Sequence, residues 1–124
     1  MQILRKVRVM KIAISACGDS LTAKAHAQFG RCDYFVIVDT DTDEIRALKN
    51  KSADAATGAG TACAQELFSA KVTAVVTGMV GPNAYEVLKA AGVAMYLAPS
   101  GLSVLEVLEK FKAGSLPEMQ VQRF

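Results

Sequence analysis

The 124-residue sequence has no tryptophan, a single histidine and only three cysteines. No two cysteines are spaced CxxC, which removes the zinc-ribbon and thioredoxin patterns. An odd number of cysteines does not suggest a closed disulfide framework, and free, metal-binding or reactive thiols fit a reducing compartment better. No apolar run approaches the roughly 20 residues needed to span a bilayer. The start, MQILRKVRV, has positive charge but no long apolar stretch after it, so it is a poor secretory signal. The expectation is a cytoplasmic protein with no membrane partner.

A strong excess of one charge is also missing. Net charge is +2, and residues 1–9 carry Arg5, Lys6 and Arg8 with no acid. The remainder holds 11 basic against 12 acidic residues, a balance of −1. A near-neutral body lacks the electrostatic footprint of a nucleic-acid binder. Residues 1–9 read as an N-terminal extension, residues 10–114 as one folded domain and residues 115–124 as a loose C-terminal tail. What is present is a globular composition, 52% apolar and 21% charged, in a length that suits one core.

The chain alternates strand-like and helix-like segments. Lys11–Ala16 (KIAISA) is short, apolar and β-prone. Residues 17–32 form a long connection that could include a short helical turn. Tyr34–Asp39 (YFVIVD) is the best strand, being rich in β-branched and aromatic residues. Thr40–Asp43 is a turn, with Asp39, Asp41 and Asp43 in a hairpin away from any site. Glu44–Lys49 then returns antiparallel, with Ile45, Ala47 and, less neatly, Leu48 on apolar positions. A polar glycine loop, Asn50–Gly60, leads to a helix over about Thr61–Ala70. Val72–Thr77 has the continuous apolar character of a buried parallel strand. Pro82 and Gly92 bracket a helix with Ala84, Val87, Leu88 and Ala91 on one face. Val93–Leu97 is a fifth strand. Ser103 and Glu106 have capping-box spacing before a last amphipathic helix, which ends at Gly114. The order β-β-β-α-β-α-β-α describes an α/β protein with a mixed sheet. Only the second strand need be antiparallel, and the later crossovers should be right-handed.

That topology gathers candidate site residues at one edge. Cys17 lies just past the carboxyl end of the first strand. The second strand runs the other way, so Cys32 starts it at the same edge. The glycine loop with Gly58 and Gly60 opens there, and Cys63 falls in the first turn of the following helix. TGMVGPN, with Gly78, Met79 and Gly81, and APSG, ending at Gly101, open there too. Open α/β sheets bind ligands outside the carboxyl ends of their strands. Three helix N-termini, each with unpaired N–H groups and roughly +0.5 of partial charge, together with Arg31, favour an anion there. Glycines let backbone approach a ligand closely. Thiolates are soft ligands, and helix N-termini lower thiol pKa values. Cys17, Cys32 and Cys63 are therefore a candidate metal set for a soft, sulfide-containing, negatively charged group.

Plainer readings stand beside each of these. A lone cysteine is most often a small buried hydrophobe. His26 could be a solvated loop histidine, and Met79 a packing residue or a soft ligand. GAGTAC has only GxGxxC and lacks the strand–turn–helix setting of a dinucleotide fingerprint. KIAISA carries no carboxylate, which argues against a two-metal nuclease. A thiol enzyme would need a base within reach of a cysteine, for which His26 and Cys32 are the candidates.

Several stretches together carry a family resemblance. They are KIAIS, FGR before a strand ending at Asp39, GAGTACAQEL, VVTGMVGPNAYEVLKAAGV, and a short strand followed by SG. Over residues 10–114 the chain resembles the dinitrogenase iron–molybdenum cofactor-binding family, which includes carriers of the NifX and NifY kind and the carboxy-terminal part of NifB. The resemblance implies a ribonuclease H-like fold with sheet order 3-2-1-4-5 and strand two antiparallel. It implies binding or carrying of an iron–sulfur or molybdenum-containing cluster, without catalysis, in exchange with cluster-assembly or acceptor proteins. The cofactor-binding residues expected are Cys17, His26, Arg31, Cys32, Gly58, Gly60, Cys63, Gly78 and Met79. Many members read HFGR; here Gln28 holds the histidine position and His26 lies two residues upstream. The site then uses either His26 or Cys17 and Cys32. The alternative is a regulatory or partner-binding module without cofactor.

Overall fold

Ile12, Ile14 and Ala16 alternate with Ala13 and Ser15 along one strand, and all five are buried. A strand buried on both faces must lie inside a sheet covered on both sides. In a computed structural model, which describes residues 11–54 and 58–119, it does. The elements in chain order are β1 (Lys11–Ala16), β2 (Tyr34–Asp39), β3 (Ile45–Lys49), α1 (Ala59–Ser69), β4 (Ala74–Thr77), α2 (Pro82–Ala90), β5 (Ala94–Leu97) and α3 (Val104–Lys112). The sheet order is β3-β2-β1-β4-β5. β2 is antiparallel to both β1 and β3, while β1, β4 and β5 are parallel. The mixed sheet and the position of its antiparallel strand match the expectation.

Each sheet face has its own core. One contains Ala13, Phe35, Ile37 and Val75 beneath Cys63 and Leu67 of α1 and Tyr85 and Leu88 of α2. The other contains Ile12, Ile14, Val36 and Val76 beneath Val104, Val107 and Leu108 of α3. Burying one such aliphatic or aromatic side chain stabilises by about 1.5–3 kcal/mol.

Element boundaries differ from the sequence reading in instructive places. α1 starts at Ala59, two residues early, because Gly58 adopts φ 77° and turns the chain into the helix from a left-handed N-cap. β4 starts at Ala74 rather than Val72, since Val72 N–H still donates to Leu67 O to close α1. On β3 the residue that reaches the core is Leu48, paired with Phe35; Ile45 and Ala47 stay exposed at the sheet edge. The connection over 17–32 holds no helix. It folds back as isolated bridges, Ala25 to Ala16, Lys24 to Ser103 and Gln28 to Met79.

The tail is not loose where it is described. Leu116 is buried, Leu97 N–H donates to Pro117 O at 2.9 Å, and Met119 N–H donates to Met95 O at 2.8 Å. These bonds occupy outward-facing backbone groups of β5, which would otherwise be an open sheet edge. The expected extension over 1–9 and the last residues of the tail lie outside the described residues.

Candidate ligand cleft

The carboxyl edge of the sheet carries a cleft of about 270 Å³, walled by Gln28–Arg31, the start of α1, Met79 and the start of α2. Glycine is required here by packing. A Cβ on Gly30 would lie 3.0 Å from Gly60 N, and one on Gly60 would lie 3.0 Å from Ala84 Cβ. The Arg31 loop therefore sits directly on the start of α1, and α1 directly on α2. Gly78 is tighter still, because its Cβ would come within 2.6 Å of Ala27 O. Of the glycines expected to bring backbone close to a ligand, Gly60 and Gly78, together with Gly30, bring the walls close to each other, while Gly58, Gly81 and Gly101 face open space.

Two of the three helix starts are open. Neither α1 nor α2 has a side-chain cap, and both begin on the wall of this cleft. The start of α3 is consumed internally. Ser103 and Glu106 form a capping box, Val104 N–H donates to Ala23 O, and Leu105 N–H donates to Leu21 O. The favourable N-terminal potential thus comes from two helices. Arg31 is exposed on the same wall and donates from Nη1 to Ala53 O at 2.9 Å.

A second, more apolar cleft of about 670 Å³ lies beside the first and shares Gln28 and Met79 with it. Leu97, Pro99 and His26 line it, and Met79 is 46% exposed between the two. Met79 is therefore an accessible thioether rather than a core residue. His26 is half-buried, and its backbone is held from both sides: its N–H donates to Ser15 O at 2.8 Å, and Ser15 Oγ donates to its carbonyl at 2.6 Å. The Nδ1 atom accepts from Gln28 N–H at 3.0 Å. A neutral imidazole whose Nδ1 accepts must carry its proton on Nε2. In this arrangement His26 presents an N–H donor, whereas metal-ligating histidines donate their other N–H to a carbonyl, carboxylate or water.

The three cysteines separate. Cys17 is exposed and lines neither cleft. Cys32 and Cys63 are fully buried in the core under α1 and α2. Burial pushes the Cys32 thiol up to about 12, with Cys63 nearby adding to the rise and hydrogen bonds from Ala16 N–H and Asn50 opposing it. Burial also pushes Cys63 up to about 11, reinforced by Glu66 and opposed by the Arg31 guanidinium. Cys63 is the fifth residue of α1, past the first turn, so desolvation prevails over the helix N-terminus. Among the described residues no group of three His, Cys, Asp or Glu side chains could hold a metal ion. The candidate metal set of Cys17, Cys32 and Cys63 is therefore not assembled, because two of its members are packed as apolar side chains. Nor do His26 and Cys32 form a catalytic pair, since Cys32 Sγ donates to Phe29 O at 3.5 Å instead.

Three buried polar residues organise this edge, and sequence reasoning passed over all of them. Ser15 and Thr77, at adjacent strand ends, place their hydroxyls 2.7 Å apart. Asn50, just past β3, bonds to Gly30, Cys32, Ser52 and Cys63. The available signal was a small polar residue inside or directly after an apolar strand, where a buried group must find partners.

These features define a small α/β domain whose open edge offers backbone amides, a guanidinium, an imidazole N–H and a thioether to a ligand. The chain belongs to the dinitrogenase iron-molybdenum cofactor family, whose profile matches residues 10–114. It is 31% identical over 118 residues to an uncharacterised protein of Methanocaldococcus jannaschii, covering 93% of this chain and 96% of that one. The apo form of the orange protein from Desulfovibrio gigas is similar at 31% identity and a TM-score of 0.86, over 92% of this chain and 96% of that one. A Thermotoga protein provisionally assigned as NifB is similar at 36% identity and a TM-score of 0.82, over 92% and 97% of the two chains.

Proposed function

We propose that this protein binds and carries an iron–sulfur or molybdenum-containing cluster, as an accessory in metallocluster assembly or storage rather than as a catalyst. The observation that carries this reading is the pair of uncapped helix starts opening on one cleft with Arg31 on its wall. Sulfide- and oxide-surfaced clusters are anions, and N–H donors backed by helix dipoles and a guanidinium suit them. The donor set fits the outer surface of such a cluster. It does not offer the several thiolates that bind iron–sulfur clusters directly. The cargo is therefore held chiefly by Arg31, the amides around Gly58 and Gly60, His26 and Met79, with Gly78 keeping the wall in place.

Such a carrier exchanges its cargo with cluster-assembly and acceptor proteins, and free thiols suit a reducing cytoplasm. The strand order agrees with the ribonuclease H-like description that the family resemblance implies. A second reading, a partner-binding module without cofactor, is favoured by the burial of Cys32 and Cys63.

Anaerobic reconstitution tests the two readings. The chain is incubated with iron and sulfide, or with tetrathiomolybdate, desalted, and measured by absorbance and metal analysis. The expected result is a coloured, metal-loaded protein for wild type and Cys17→Ser, with loading sharply reduced in Arg31→Gln. A wild type that stays colourless and metal-free in both reconstitutions overturns the carrier reading and leaves the cofactor-free module.

A further inference from the structure

Asn50 is 5% exposed and lines neither cleft, yet its amide is matched on both sides. Its Nδ2 donates to Gly30 O at 3.2 Å and to Cys32 O at 2.8 Å, the carbonyls that flank Arg31 in the chain. Its Oδ1 accepts from Ser52 N–H at 3.0 Å and from the Cys63 thiol at 3.2 Å. The turn closed by Ser52 presents Ala53 O, which accepts from Arg31 Nη1 at 2.9 Å. One side chain thus holds both the backbone that carries Arg31 and the carbonyl that anchors its guanidinium. The bond to Cys63 ties the same hub to α1, whose start lines the cleft beside Arg31.

We infer that Asn50 is the positioning residue of the cleft, acting on an anionic ligand through Arg31 by fixing the loop and the turn that hold the guanidinium. The inference rests on the reading of the cleft as an anion site. Its physical basis is preorganisation: a buried, fully bonded amide is rigid, and a group held in place beforehand loses less freedom on binding. A glutamine or serine at this position could not reach four partners on three segments with the same geometry.

A double-mutant cycle tests it. Affinity of the full chain for tetrathiomolybdate is measured anaerobically for wild type, Asn50→Ala, Arg31→Gln and the double variant, each checked for folding by circular dichroism. Asn50→Ser replaces Asn50→Ala should the latter not fold. The expected result is binding weaker by about tenfold for the Asn50 variant, the scale of one charged hydrogen bond. Added to Arg31→Gln, the same change should cost less than about twofold. An equal loss in both backgrounds, or no loss at all, overturns the inference. A second measurement needs no ligand: hydrogen exchange of the Arg31 guanidinium, followed by 15N NMR, should accelerate in the Asn50 variant. Unchanged exchange overturns the inference equally. If wild type takes up no tetrathiomolybdate, the cluster reading loses that ligand, and the exchange measurement alone decides the role of Asn50.

Discussion

The Cys63 thiol donates to Asn50 Oδ1 across 3.2 Å, inside a core where both residues are buried. A thiol used as a donor in an apolar setting is held protonated, which makes Cys63 part of the scaffold beneath the cleft.

Thiol accessibility follows from this. Of the three cysteines, Cys17 is exposed and the other two are buried. In native protein at neutral pH, an alkylating reagent should modify Cys17 rapidly, with Cys32 and Cys63 reacting only after denaturant is added. Peptide mass spectrometry reads the three sites separately. Rapid native labelling of Cys63 would contradict the core placement.

Stability should fall at high pH. Cys32 and Cys63 are raised from an ordinary value of 9.0 to about 12 and about 11. Between the unfolded and folded values the folded state holds protons that the unfolded chain releases. The contribution is therefore fully present below about pH 9 and is lost as pH rises through the folded values. Urea unfolding from pH 8 to 11 should show a falling midpoint. The Cys32→Ala, Cys63→Ala double variant should start less stable, owing to the lost side-chain volume, and show a shallower fall. An identical slope in both proteins would assign the fall to other groups.

The glycines of the cleft should divide sharply. Alanine at Gly78 would drive a methyl to within 2.6 Å of Ala27 O, whereas alanine at Gly81 meets nothing within 4 Å. Gly78→Ala is expected to destabilise by about 1–3 kcal/mol and to disturb both clefts. Gly81→Ala should stay within about 0.5 kcal/mol of wild type. Thermal unfolding of the two variants side by side checks this, and equal midpoints would mean that the loop over 25–28 yields easily.

Much of the fold was legible because its signals are local. The apolar run of YFVIVD, the Pro82 and Gly92 brackets and the Ser103–Glu106 box each act within one element, and each is found where the pattern placed it. The misreadings share a cause in contacts that a local pattern does not contain. The tail looks loose in sequence because its backbone partners, Met95 and Leu97, lie on β5, about 20 residues away in the chain. GAG reads as loop in sequence because a glycine with positive φ usually follows a helix, whereas here Gly58 precedes one.

For the site, sequence alone determined which residues reach the carboxyl edge, since strand direction and order follow from element order and handedness. It also placed Arg31 and the glycine loops there. Tertiary structure alone decided which of those residues are available to a ligand. Burial removed Cys32 and Cys63, internal capping removed the start of α3, and Gln28 N–H set the imidazole of His26. Ser15 and Thr77 meet from 62 residues apart, and Asn50 joins three segments. Such long-range pairings depend on side-chain direction and packing in three dimensions, which the periodicity of the chain does not encode.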